Sequence, residues 1–295
     1  MNQALSVWLL LCLIWGSTWI FIKLGLRDLP PLTFAGLRFL VAAILLWLYV
    51  ILRRQSLPRG WRQWGWIAAS SATFTFNYGL LFWGEKRISS GLTAVLQATI
   101  PAFGFFLAHY FIPGERITPA KLWGLGICTL GIAIIFSDQL KLEGQDALLG
   151  STAIVIGSFA AAASNIIVKR TCQNVSPASL AAAQMTVGLI PLLALGGRFE
   201  TNLLTIRWTT NALVCLGYLA TVGSAVAFML YYWLLQHTEV TRTLLISLVT
   251  PIIAVIIGML VLHEELTWRL AVGTLAVLLG LGLIVWPRAA AQAVA

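Results

Sequence analysis

From Ala4 to Ile22 the chain runs without one Asp, Glu, Lys or Arg, and from Ala147 to Val168 it does so again. About 20 helical residues span the roughly 30 Å hydrocarbon core of a bilayer, so runs of this length limit the fold more than any other feature. In lipid, backbone donors and acceptors must be satisfied within a helix or around a closed barrel. Barrel strands alternate apolar and polar side chains, and these runs do not. The expected fold class is therefore all-α, a polytopic membrane protein. Composition agrees, because 59% of the 295 residues are hydrophobic and 10% charged, too few polar side chains to coat a soluble globule.

Prolines, glycines and charged residues divide the chain into ten predicted spans. They are Ala4–Ile22, Leu32–Leu52, a third between Arg62 and Glu85, a fourth between Arg87 and Glu115, and a fifth between Lys121 and Asp138. Then come Ala147–Val168, Pro177–Leu195 before a Gly196-Gly197 turn, and runs within Asn211–Leu235, Thr241–Leu262 and Trp268–Trp286. The first run lacks a basic leader and a small-residue cleavage site, so it reads as a span rather than a signal peptide. Asp138 to Asp146, with Lys141 and Glu143, is the most polar patch. It reads as the joint, with 139–146 a polar linker between repeats 1–138 and 147–295.

The two parts repeat one another. An offset of 146 pairs Lys23 with Lys169, Pro31 with Pro177 and Arg38 with Gln184. An offset of 150 pairs Thr93 with Thr243 and Pro101 with Pro251, and one of 149 pairs Glu115 with Glu264, Thr118 with Thr267, Gly124 with Gly273 and Gly131 with Gly280. Five spans per half is an odd number, so the second half begins on the opposite side of the membrane. Inverted five-helix (5+5) repeats around a central cavity are expected. Arg53, Arg54, Arg59 and Arg62 after the second span bias that loop, and with it the N-terminus, toward the cytoplasm. The four paired glycines recur at heptad spacing, where small residues let helices approach closely in lipid. Pro101 and Pro251 each remove a backbone donor. Interrupted helices at matching places in two halves point to a midplane substrate site with gating between the halves, while simple kinking for packing is the alternative.

Little supports catalysis. His263-Glu264-Glu265-Leu266-Thr267 lacks the second histidine of a zinc protease helix. His109 and His237 stand alone near span ends, and Cys12, Cys128, Cys172 and Cys215 have no metal-ligand spacing. No Asp or Glu falls inside a predicted span, so a carboxylate proton relay is not expected, and transport would run down the substrate's own gradient or couple weakly to ions. The net charge of +9 is scattered between apolar runs, which fits membrane flanks rather than nucleic acid. No cofactor or metal is expected, the partners are a small-molecule substrate and the lipid bilayer, and the chain is expected to act as a monomer.

The interior does hold aromatic and amide side chains. Trp15, Trp19, Arg38, Asn77, Tyr78, Phe82, Gln97, Asn165 and Gln184 form the candidate substrate-binding set, with Thr93, Ser164, Ser224, Tyr231, Thr243 and Ser247 nearby in the spans. Rings supply stacking and cation-π faces, and amides hydrogen-bond a zwitterion without a buried charge. Ordinary packing competes for each, and Arg38 can snorkel as readily as attract a carboxylate. Trp8, Trp61, Trp64, Trp66, Trp123, Trp208, Trp268 and Trp286 fall near span edges and read as the interfacial belt.

Trp15-Gly16-Ser17 with Lys23, then Pro31 and Arg38, and the twice-occurring Pro, Glu, Thr and spaced glycines resemble the EamA-domain branch of the drug/metabolite transporter superfamily. The resemblance covers nearly the whole chain. In the second copy Ala161-Ala162-Ala163 replaces Trp-Gly-Ser, and Gln184 replaces the arginine. The resemblance implies a bacterial inner-membrane exporter of amino acids and related metabolites, with both termini cytoplasmic. Within the branch, the aromatic interior is similar to that of the YddG-like aromatic amino-acid exporters. A nucleotide-sugar or lipid-linked substrate carrier on the same scaffold, or a membrane-embedded enzyme, are the other readings.

Overall fold

A computed structural model describes residues 3–112, 118–142, 144–200, 206, 208–237, 246–263 and 267–292. Among these, all regular structure is helical. The first five helices are α1 Gln3–Gly25, α2 Pro31–Leu52, α3 Trp61–Glu85, α4 Ser90–Gln97 and α5 Ile100–Phe111. They are followed by α6 Pro119–Leu142, α7 Gly144–Thr171, α8 Pro177–Phe199 and α9 Thr210–Ala220. A π-helical segment, Thr221–Val226, joins α9 to α10 Ala227–His237, and α11 Ile246–Leu262 and α12 Trp268–Gln292 complete the order.

Among the described residues, six stretches are long and apolar enough to cross a membrane: Gln3–Gly25, Pro31–Leu52, Ser90–Phe111, Gln145–Thr171, Pro177–Phe199 and Thr210–Leu234. Shorter apolar helices occupy Pro119–Ile135, Val249–Leu262 and Trp268–Gly280. The surface is apolar to match, with Leu13, Ile51, Leu130 and Leu260 all more than 60% exposed. Water would not tolerate such a shell; lipid favours it. Trp61, Trp123 and Trp268 also point outward, as an interfacial belt requires.

Local chemistry sets several boundaries. Pro31 occupies the first turn of α2, where its missing N–H costs nothing. The Glu200 carboxylate, from the end of α8, accepts the backbone N–H groups of Leu32 at 2.7 Å and Thr33 at 2.9 Å and the Thr33 hydroxyl at 2.9 Å. An anion at that position also complements the helix dipole. Ser89, Ser176 and Thr209 cap α4, α8 and α9 through their side chains.

Three expectations need correction. The 139–146 stretch is not an open linker: α6 continues through Leu142 and α7 begins at Gly144, with Glu143 outside the described residues. Polarity ends a membrane span, yet Leu, Lys and Gln there are good helix formers. Gly196-Gly197 is no turn either. A Cβ on Gly196 would sit 2.5 Å from Thr33 Oγ1, so the glycine admits α2 while α8 runs on. Third, a carboxylate does fall within the helix of the third span: Glu85 is the last residue of α3, with 0% exposure. The fourth predicted span is interrupted next to Pro101, as the two helices α4 and α5. Thr243, Glu115 and Glu264, and the Ser247 side chain, lie outside the described residues.

The spaced glycines pack α6 against α12. A Cβ on Gly280 would lie 2.5 Å from the Gly124 carbonyl oxygen, and one on Gly131 2.7 Å from that of Gly273. Between them the Cys128 thiol donates to the Val277 carbonyl at 3.4 Å. The 149-residue offset carries each of these contacts onto another in the same set: Gly131 with Gly273 becomes Gly280 with Gly124, and Cys128 becomes Val277.

Candidate functional site

Helix α3 is among the less apolar of the long helices, and Ser70, Ser71, Thr73, Thr75, Asn77 and Glu85 interrupt its hydrophobic face. It is also one wall of an internal cavity, which holds about 190 Å³. Engineered apolar cavities of about 150 Å³ accept benzene, so the space suits one small organic solute. Phe74, Asn77, Tyr78 and Leu81 from α3 line it with Trp15, Thr18, Trp19 and Ile22 from α1, and with Ala161 and Asn165 from α7. Arg38, Phe228, Tyr231, Ile246 and Thr250 contribute, and the α4–α5 break adds Ala94, Gln97, Ala98, Ile100 and Pro101.

Lining residues come in repeat pairs. The 146 offset relates Trp15 to Ala161 and Trp19 to Asn165. The 150 offset relates Tyr78 to Phe228, Leu81 to Tyr231 and Ile100 to Thr250. All ten residues line the cavity, which therefore sits where the two sequence copies meet.

The aromatic part is continuous. Trp15 lies 5.0 Å from Tyr231 and 5.7 Å from Phe228 between ring centroids, Phe228 lies 5.2 Å from Phe74, and Phe74 lies 4.7 Å from Tyr78. Such pairs contribute about 0.5–1.5 kcal/mol each beyond burial, so the ring faces are held in place before a ligand arrives. Opposite them, the Gln97 amide donates to Asn77 Oδ1 at 2.9 Å. That bond fixes both amides at the end of α4. The break itself follows from Pro101: its missing N–H leaves the Gln97 carbonyl without the usual helical donor, and α5 restarts at Ile100.

Arg38 is the charged residue among the lining. It does not snorkel; it is 2% exposed. Its Nε donates to Ser224 Oγ at 2.6 Å and Nη2 to the Gly223 carbonyl at 3.0 Å. Both acceptors belong to the π-helical segment, whose wider turn changes which carbonyls are available, and such segments favour functional sites. The guanidinium also lies 5.2 Å from the Tyr78 ring centroid and 5.8 Å from that of Phe82.

Of the predicted binding set, Trp15, Trp19, Arg38, Asn77, Tyr78, Gln97 and Asn165 line this cavity. Phe82 does not. It is 0% exposed, packed edge-on to Phe34 and behind Arg38. Gln184 is also absent from the wall; its amide donates to Ser70 Oγ at 3.0 Å and its carbonyl accepts from the Tyr232 hydroxyl. Of the two prolines, Pro101 lines the cavity, whereas Pro251 lies buried within α11 outside the lining. Thr93 is buried on α4 and Ser164 donates to the Ser70 carbonyl at 2.8 Å. Sequence reasoning missed Phe74, Phe228 and Thr250. The repeat could have found Phe228, since it is the counterpart of Tyr78.

Lys23 donates to the Glu85 carbonyl at 2.9 Å and to that of Ile88, tying α1 to the end of α3. On the same side of the fold, outside the spans, Asp28 joins the halves. Its carboxylate accepts from the Thr209 hydroxyl and the Asn211 amide, each at 2.7 Å. The Asn211 and Thr209 hydrogen bonds hold the Asp28 carboxyl below the usual carboxylate range.

Comparison with known proteins adds independent observations. The transporter YoaV of Bacillus subtilis (strain 168) is 27% identical over 270 residues, covering 91% of this chain and 92% of that protein. A probable amino-acid metabolite efflux pump of Escherichia coli (strain K12) is 30% identical over 284 residues, covering 92% and 91%. The inner membrane transporter YedA of the same strain is 28% identical over 249 residues, covering 84% of this chain and 79% of YedA. One crystal structure superposes with a TM-score of 0.71 over 96% of each chain at 14% identity, which shows that the fold recurs. The sequence pattern of the EamA-like transporter family matches residues 3–137 and 148–286. With its all-helical, lipid-compatible architecture, this chain belongs to the EamA-like transporter family, within the drug/metabolite transporter superfamily.

Proposed function

We propose that this membrane transporter exports amino acids and related small metabolites across the bacterial inner membrane, by alternating access between two inverted five-helix halves. The observation that carries the reading is the cavity lined by repeat-paired residues. A solute held where two copies of one unit meet is released to either side as the halves rock. The self-mapping contacts of α6 and α12 support an axis of two-fold relation between residues 1–138 and 147–295. With ten spans, both termini lie in the cytoplasm. Trp15, Trp19 and Tyr78 would stack the substrate, Asn77, Gln97 and Asn165 would hydrogen-bond it, and Arg38 would meet its carboxylate. The broken α4–α5 span, at Pro101, would absorb the change of shape; Pro251 would bend α11 in the other half. The probable amino-acid metabolite efflux pump among the relatives supports the substrate class. A nucleotide-sugar carrier fits less well, because about 190 Å³ with one lining arginine offers neither the room nor the positive charge.

Counterflow in proteoliposomes against a panel of amino acids tests this. Tyr78→Ala and Gln97→Ala should raise the apparent KM for a transported solute several-fold. If neither variant shifts it, the cavity is not the binding site.

A further inference from the structure

The polar groups around the cavity are unevenly matched. Among the described lining residues there is one guanidinium, Arg38, and no Asp or Glu. Arg38 uses Nε and Nη2 on the π-helical segment; Nη1 has no hydrogen-bond partner and the guanidinium no salt-bridge partner among the described residues. The Trp19 indole N–H, which unlike Arg38 Nη1 is fully enclosed, is buried without an acceptor. Both are donors. A buried donor without an acceptor is costly, and so is a buried cation without an anion. Glu85, 0% exposed at the end of α3, acts on Arg38 electrostatically, and Lys23 stands at the same helix end, donating to the Glu85 backbone carbonyl. Lys23, Arg38 and Glu85 together sum to one positive charge beside the cavity.

We infer that the preferred cargo is an aromatic monocarboxylate anion rather than a zwitterionic amino acid. This rests on the cavity being the transport site. The carboxylate accepts from Arg38 and Trp19, and its ring lies among Trp15, Phe74, Tyr78 and Phe228. A monoanion cancels the single excess charge. An amino acid cancels it with its carboxylate and restores it with its ammonium, for which the lining supplies no acid. An amine brings a second cation to a positive site. The inside-negative membrane potential drives an anion outward, so export of such cargo needs no proton relay.

Three solutes of one shape decide the matter: 3-phenylpropanoate, phenylalanine and 2-phenylethylamine, measured as protein-dependent uptake into proteoliposomes at neutral pH against protein-free vesicles. The carboxylate should enter at least about tenfold faster than phenylalanine, a gap of about 1.4 kcal/mol, and the amine not at all. Uptake of the carboxylate should quicken when potassium and valinomycin make the lumen positive. Arg38→Gln, verified as monodisperse, should remove the carboxylate's advantage; if that variant does not fold, the wild-type comparison decides alone. Phenylalanine moving as fast as 3-phenylpropanoate, or uptake indifferent to the potential, overturns the anion preference and leaves the transport reading standing. Uptake of neither these solutes nor any amino acid in the panel overturns both.

Discussion

Arg38 and Gln184 hold the same place in the two sequence copies, yet they do opposite work. Each reaches from its own half across to the other: Arg38 to Ser224 and Gly223, Gln184 to Ser70 with Tyr232. The glutamine spends its amide on Ser70 and Tyr232, and it does not line the cavity. Arg38 keeps one nitrogen in hand and faces the opening. The flanking helices repeat the contrast, because Trp15 and Trp19 on α1 stand where α7 has Ala161 and Asn165. A duplicated frame thus yields one lopsided site: a bulky aromatic wall on one side, room and an amide on the other.

Making the two walls alike is the severest test. Ala161→Trp gives α7 the residue that α1 carries at Trp15 and fills much of a cavity of about 190 Å³. Transport should fall by about a hundredfold or more, equivalent to about 2.7 kcal/mol, in proteoliposome initial rates; retention of half the rate would show that solute passes elsewhere. Gln184→Ala should act on stability instead. Leaving Ser70 and Tyr232 without their buried partner costs about 1–3 kcal/mol, visible in thermal unfolding in detergent, with the apparent KM unchanged. The prolines sharpen the contrast further. Pro101→Ala restores a donor beside the cavity, whereas Pro251→Ala does so away from it, so transport should slow by about threefold or more in the first and less in the second.

The smallest effect concerns pH. Asp28 has Asn174 as its counterpart, and Asp28→Asn equalises that pair too. Because the folded carboxyl lies below its unfolded value of about 3.9, its contribution is complete above that value and drains away as pH falls through the folded one. The variant should be less stable than the parent at pH 7, and the gap in thermal midpoint should close below about pH 4. A gap that persists there would mean that the Asn211 and Thr209 bonds do not depend on charge.

The apolar runs made the bundle legible, since length and lack of charge decide what lipid accepts. The repeat was equally readable: proline and glycine mark backbone demands that side-chain drift does not erase. What could not be read depends on partners distant in sequence. Thr221–Val226 has no residue that dictates a wide turn; there the backbone meets Arg38 from α2. Phe82 was placed on the cavity and Leu81 was not, and on a helix one position is about 100° of rotation. Gln184 was misassigned because sharing a position with Arg38 does not mean sharing surroundings. Glu85 was read as the residue just past the third span, and its burial comes from packing against residues distant in sequence, α1 with Lys23 among them.

The glycine contacts between α6 and α12 carry one more implication. An arrangement that returns to itself when the copies are exchanged is what two molecules of one kind form when they associate, an isologous seam. With both copies in one chain, positions 38 and 184 are free to differ.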